Sequence, residues 1–156
     1  MNAFRIARDE LDALVPVPVL FDALIEEDEQ SCVLEKTVTL DDPGIASQRT
    51  APEWPHHLPG ELVIGLTGQA ACILLHRRGL IDASWRGHGV RIKDARYTAP
   101  VLLGERFYTR VTILRRRRLL GRLHVRLGYH MWKLGADGAP IDTYRSEQDA
   151  IFFPAF

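Results

Sequence analysis

The sequence predicts an α+β fold in which an antiparallel sheet wraps around one long central helix. Three observations lead there. The stretch from Glu61 to Arg78, ELVIGLTGQAACILLHRR, is the most apolar in the chain and is too long for an ordinary strand. An alternating segment precedes it, and segments of strand character separated by glycine-containing turns follow it. A helix that is apolar nearly all round must be covered on nearly every side, and the flanking strands supply the cover.

Composition sets the outer limits. A chain of 156 residues suits a single domain, residues 1–156. At 46% hydrophobic and 26% charged residues it falls in the ordinary globular range. Lys plus Arg and Asp plus Glu number 20 each, so there is no basic surplus and nucleic acid is not an expected partner. Cys32 and Cys72 sit among apolar neighbours and are expected to be buried and reduced, since two thiols make no disulfide framework. The opening Met1-Asn2-Ala3-Phe4-Arg5 lacks the apolar core and cleavage site of a leader. No run approaches the roughly 20 apolar residues of a membrane span, and a cytoplasmic protein is the expectation.

The elements follow in order. Ala7 to Leu14 has helical spacing, and Pro16 and Pro18 then force extended backbone ahead of Leu20 and Phe21, so a short helix should lead into a strand. From Ser31 to Leu40 the residues alternate. Cys32, Leu34, Val38 and Leu40 fall on one side and Ser31, Glu35, Thr37 and Thr39 on the other, the mark of a half-buried strand. Asp41-Asp42-Pro43-Gly44 ends it, and Ile45 to His57 shows no period and is expected to be a long loop. Pro59 suits the first turn of the helix, Glu61 its positive end, and His76-Arg77-Arg78 with Gly79 its negative end and cap. Strands are expected over Val90 to Tyr97, Glu105 to Arg116, Leu119 to Lys133 and Thr143 to Phe153, as an antiparallel meander. In the third, Leu123, Val125, Leu127, Tyr129 and Met131 point one way and Arg122, His124, Arg126 and His130 the other.

These residues carry a family resemblance. Pro59-Gly60-Glu61 through Gly68-Gln69-Ala70-Ala71 resembles the helix of β-hydroxyacyl acyl-carrier-protein dehydratases, where a Pro-Gly turn opens a helix ending in Ala-Gln-Ala-Ala. Lys93-Asp94-Ala95-Arg96-Tyr97-Thr98-Ala99-Pro100-Val101, Gly104-Glu105 and the run Arg115 to Arg118 resemble the segments those enzymes place after the helix. The resemblance implies the hotdog fold and an acyl-thioester substrate. It departs at one position: the dehydratases have an acidic residue four places before the helix Gln, and here Gly65 stands there. The loop before the helix is also shorter. In that it resembles long-chain acyl thioesterases of the FcoT type and dehydratase-like proteins of aryl-polyene pathways. The FcoT type has a His twelve positions before the helix Gln, the spacing of His57 to Gln69.

Thioester chemistry needs a base or a positioned water, and donors for charge developing on the carbonyl oxygen. The N–H groups around Gly60 to Val63 are candidate donors, unless a loop or water caps them. His57 is the first candidate for the acid–base group, because imidazole exchanges protons near neutrality. Its alternative is a surface-loop histidine, and His56 competes with it. Glu61 is a candidate replacement for the missing acid, or serves only the helix dipole. Gln69 would orient a water or the acyl carbonyl, or tie the helix to the sheet. Gly65 and Gly68 cost helix propensity and suggest a close approach of ligand, or of sheet backbone. Arg77 and Arg78, with Arg115 to Arg118, would attract an acidic acyl carrier protein or pantetheine phosphates, or form a plain solvated face. The His56–His57 pair has no third ligand at a recognisable spacing, so neither metal nor cofactor is expected.

The expectation is thus an acyl-thioester enzyme acting on acyl carrier protein or coenzyme A substrates, by hydrolysis or by addition and elimination at the β carbon. Its rival is a non-catalytic, dehydratase-like subunit of a hotdog heterodimer. A homodimer is expected, because a lone sheet of this kind leaves an open edge.

Overall fold

In the computed structural model, which describes residues 4–155, the apolar stretch is one continuous 18-residue helix. Met1 to Ala3 of the opening stretch, and Phe156, lie outside the described residues. The elements run β1 (Ile6–Ala7), α1 (Arg8–Asp12), β2 (Ala23–Glu27), β3 (Ser31–Thr37), α2 (Gly60–Arg77), β4 (Trp85–Tyr97), β5 (Arg106–Leu119), β6 (Arg122–Leu134) and β7 (Pro140–Pro154). Among the described residues no helix is long and apolar enough to cross a membrane.

Both ends of α2 are set by sequence. Pro59, with φ −73° and ψ 149°, is the N-cap and turns extended backbone into the first helical turn. At the other end Gly79 takes φ +65°, its N–H donates to the His76 carbonyl and that of Leu80 to the Leu75 carbonyl, the paired bonds of a Schellman cap. Leu66, Ile73 and Leu74 are wholly buried. Glu61, Gly65 and Gly68, however, are exposed along one strip, so the helix is not covered on nearly every side.

The seven strands form one antiparallel sheet in the order β1-β2-β3-β5-β6-β7-β4. The expected four-strand meander holds for β5, β6 and β7 but fails for β4. Strand β3 occupies the edge of β5 that β4 would have taken, from Ser31↔Thr112 to Thr37↔Arg106, and β4 pairs instead with the far side of β7. The loop and α2 carry the chain from β3 to that far edge. Strand β6 alternates as expected, with Leu123, Val125, Leu127, Tyr129 and Met131 all buried.

Strand β3 departs from its expectation. Ser31 to Lys36 are all buried, the strand ends at Thr37, and Leu40 is exposed. Flanked by β2 and β5, it is an interior strand whose polar groups are matched locally. Arg5 lies 2.5 Å from Glu35, and the Ser31 hydroxyl donates to Asp28 at 2.8 Å. Lys36, 1% exposed, meets Asp42 at 2.6 Å, and Asp42 also accepts the Thr39 N–H at 2.8 Å, folding the turn back on the strand. Cys32 is buried, which pushes its thiol up to about 12, whereas Cys72 is only half-buried, with burial raising it to about 11.

The C-terminal end of α2 is fastened to β2. Glu27 accepts from Arg77 at 2.5 and 3.1 Å and from Arg78 at 2.6 Å, and Arg78 also donates to the Asp28 carbonyl at 2.6 Å. The Arg77 hydrogen bond, opposed by burial, holds the Glu27 carboxyl below its ordinary range.

Two outcomes are expected. Lys36→Met should cost about 3 to 5 kcal/mol in urea unfolding by stranding the buried Asp42 carboxylate, and adding Asp42→Asn should recover much of the loss. A single substitution costing under about 0.5 kcal/mol would show the pair to be solvated. A depressed carboxyl stabilises the fold above its unfolded-state pKa, and that stability is lost as pH falls through the folded value. The stability gap between wild type and Glu27→Gln should therefore be present at neutral pH and close below about pH 4. A gap constant down to about pH 3 would contradict this assignment.

Candidate active site

The long loop delivers its histidines to the start of α2 through backbone pairing. Residues 56–58 run against 101–103: Leu58 N–H donates to the Val101 carbonyl at 2.8 Å and Leu103 N–H to that of His56 at 2.9 Å. The Gln48 side chain clamps the same place, donating to the His57 carbonyl at 2.7 Å and accepting its N–H at 3.0 Å. His57 Nδ1 lies 3.0 Å from the Pro55 carbonyl and His56 Nδ1 2.9 Å from that of Ile45. A carbonyl only accepts, so Nδ1 is the donor in each ring, and in the neutral imidazole this tautomer leaves Nε2 as the acceptor.

The two histidines then part company. His57 lines a cavity of about 610 Å³ with Leu58, Gly60, Val63, Tyr97, Thr98 and Tyr144, whereas His56 is not on its wall. Gly60 brings the N-terminus of α2 to the same cavity. The N–H groups of Leu62 and Val63, expected to be free, bond the Pro59 carbonyl at 3.0 and 3.2 Å. Those of Gly60 and Glu61 have no partner among the described residues, leaving two donors at the positive end of the helix dipole.

Glu61 itself is exposed on the open strip of α2. Gln69 lies elsewhere, its amide occupied at both ends: Oε1 accepts the Leu20 N–H at 2.9 Å and Nε2 donates to the Pro18 carbonyl at 3.0 Å. It ties the helix to the segment ahead of β2 rather than to the sheet, and does not meet His57 in the cavity. Gln69 instead borders a second cavity of about 320 Å³ that includes Gly65, Gly68, Cys72, Gly87, Gly89 and Phe152. A Cβ added at Gly65 or Gly68 would meet nothing within 4 Å, so close packing on the sheet is not why these glycines are here. At Gly87, by contrast, a Cβ would fall 2.4 Å from the Phe152 ring.

Arg77 and Arg78 lie about 25 Å from Gly60 along the helix axis, paired with Glu27. All four residues from Arg115 to Arg118 are exposed, and Arg118 donates to the Leu80 carbonyl at 2.6 Å and lies 5.0 Å over the Trp85 ring. A further row of basic side chains, partly matched by Glu26 and Asp142, was not visible in the sequence. Arg110, His130, Arg145 and Arg96 stand opposite one another in register across four adjacent strands, on the wall of a 440 Å³ cleft. Residues 85–156 hold 14 Lys and Arg against 6 Asp and Glu, and residues 1–84 the reverse, 6 against 14.

The sequence also gave no sign of the tyrosine pair at the first cavity. Tyr97 and Tyr144 are register partners on β4 and β7, with ring centroids 4.9 Å apart, and the Tyr97 hydroxyl donates to the Gly60 carbonyl at 3.2 Å. Burial, then Tyr144 and Glu61, raise the Tyr97 phenol. The sequence places Tyr144 only within an expected strand, and its partner emerges from the β4–β7 pairing.

No family model and no curated protein sequence matches this chain. Its structure is similar to the dehydratase heterocomplex ApeI:P from Xenorhabdus doucetiae, with a TM-score of 0.66 and 16% identity over 94% of this chain and 91% of that one. It is similar to a hypothetical thioesterase protein with coenzyme A from Streptococcus pneumoniae, with a TM-score of 0.57 and 8% identity over 85% of each chain. A hot-dog-like protein from Thermanaerovibrio acidaminovorans gives 0.52 and 18% over 80% of this chain and 81% of that one. The wrapped sheet, the long central helix and these likenesses together identify the architecture: this chain has the hotdog fold.

Proposed function

We propose that this chain is an enzyme of acyl thioesters carried on acyl carrier protein or coenzyme A. The observation that carries the proposal is the meeting, on one cavity, of His57 with Gly60, whose amide, like that of the adjoining Glu61, has no partner among the described residues. The thioester oxygen would sit on the Gly60 and Glu61 N–H groups, which hold the charge that develops as the carbonyl carbon is attacked. His57 Nε2 would take the proton of the attacking water, and the same proton would pass to sulfur as the C–S bond breaks. Hydrolysis leads over β-carbon chemistry because Gly65 stands where the dehydratases have their acid.

The likeness to a dehydratase heterocomplex and to a thioesterase with coenzyme A supports the substrate class. The basic excess of residues 85–156 supports an anionic carrier. Gly65 also favours a second reading, a non-catalytic subunit that completes a heterodimer.

Mass spectrometry of saturated, enoyl and 3-hydroxyacyl thioesters incubated with the pure protein separates these readings. Hydrolysis should convert all three to acids, β-carbon chemistry should interconvert the last two, and the subunit reading predicts no turnover. On the best substrate His57→Ala should lower kcat at least about 100-fold and His56→Ala much less. Should His57→Ala keep most of its activity, the base assignment fails and Glu61 is the next group to test.

We also propose a homodimer formed along β4. This 13-residue edge strand is exposed over most of its length, with Val90 57% and Ile92 45% exposed. An unpaired, partly apolar edge of that length favours pairing with a second copy. Pairing there would bring the open strip of α2, with Gly65 and Gly68, towards the interface. Light scattering at micromolar concentration should give twice the 17.7 kDa chain mass, and a monomer would contradict the proposal.

A further inference from the structure

Tyr144 is 1% exposed, yet its hydroxyl has no hydrogen-bond partner among the described residues. Buried phenols ordinarily find one, because a desolvated hydroxyl left unpaired destabilises the fold. A phenylalanine would fill the same space without that cost. The hydroxyl therefore has no account within the free protein, and a polar group that weakens the fold is commonly kept for function.

Its surroundings indicate which function. Tyr144 lines the cavity that holds His57 and Gly60. Two other hydroxyls there are already engaged, that of Thr98 with the Asp142 carbonyl at 2.7 Å and that of Tyr97 with the Gly60 carbonyl at 3.2 Å. Tyr97 is 54% exposed and packs against the Tyr144 ring in a tilted arrangement, held to the helix start by that one hydrogen bond. It is the side chain an entering ligand would displace.

Resting on the acyl-thioester reading, we infer that Tyr144 is a substrate-contact residue whose hydroxyl donates a hydrogen bond to an oxygen of the bound acyl group, either the thioester carbonyl or a 3-hydroxyl. The contact forms when Tyr97 yields its place to the ligand. The bond exists only in the complex, so the free protein should not miss the hydroxyl.

Calorimetric titration of wild type and Tyr144→Phe with three unreactive pantetheine derivatives tests this. They are the hexanoyl amide, with nitrogen in place of sulfur, the 3-hydroxyhexanoyl amide, and the hexyl thioether, which lacks the acyl oxygen. Tyr144→Phe should melt no lower than wild type, bind the thioether equally well, and bind an oxygen-bearing analogue about 3- to 10-fold more weakly. Weakening on both amides assigns the carbonyl, and weakening on the hydroxylated one alone assigns the 3-hydroxyl. Unchanged binding of all three overturns the assignment, as does equal weakening on the thioether or a lowered melting temperature, either of which indicates a structural hydroxyl. Wild type binding none of the three overturns the acyl-thioester reading, and this inference with it.

Discussion

Covering α2 is the constraint on which the rest of the structure depends. A helix with Leu66, Ile73 and Leu74 wholly buried cannot stand on a flat sheet, so the strands must curl round it. Curling leaves the last strand to be placed from the far side. The chain does this by running α2 across the concave face before laying down β4 beside β7. The cavities follow from the same arrangement. The first opens where α2 begins against β4 and β7, and the second where the helix surface lacks side chains at Gly65 and Gly68.

Position at the candidate site comes from backbone more than from side-chain packing. The short pairing of residues 56–58 with 101–103 ties the irregular loop to the segment between β4 and β5. Gln48 fixes the His57 peptide from the other side. A loop with no period can in this way hold an imidazole beside a helix terminus with little apolar burial of its own. The adjacent histidine, one residue away, faces Ile45 instead and leaves the cavity.

Properties that live in one segment were legible in the sequence. The bounds of α2, the alternation of β6 and the turns at Gly104, Gly121 and Gly138, all with positive φ, follow from local period and backbone conformation. Properties that depend on a distant partner were not. Burial of Ser31 to Lys36 requires Arg5, Asp28 and Asp42; the placement of β4 requires β3 to have claimed β5 first; and the engagement of Gln69 with Pro18 and Leu20 spans some fifty residues of chain. At the candidate site, His57 and Gly60 could be named from the sequence because they adjoin the helix start. Tyr144 could not, since an inward tyrosine on a strand is indistinguishable from core until its hydroxyl is found without a partner.

The division of charge along the chain has a physical consequence of its own. The acid-rich stretch up to residue 84 supplies β1, β2 and β3 at one side of the sheet as well as α2, and the base-rich stretch beyond it supplies β5, β6, β7 and β4 at the other. A molecule whose isoelectric point is about 7.0 is then electrically neutral near physiological pH, yet its unequal division of charge gives it a dipole. Neutrality removes the mutual repulsion that keeps copies apart, while the dipole turns each approaching molecule, so that charged ends of opposite sign meet first. Dissolved salt shortens the reach of that field to about 8 Å at physiological strength. In dilute buffer the same field extends several times further, and orientation begins well before contact.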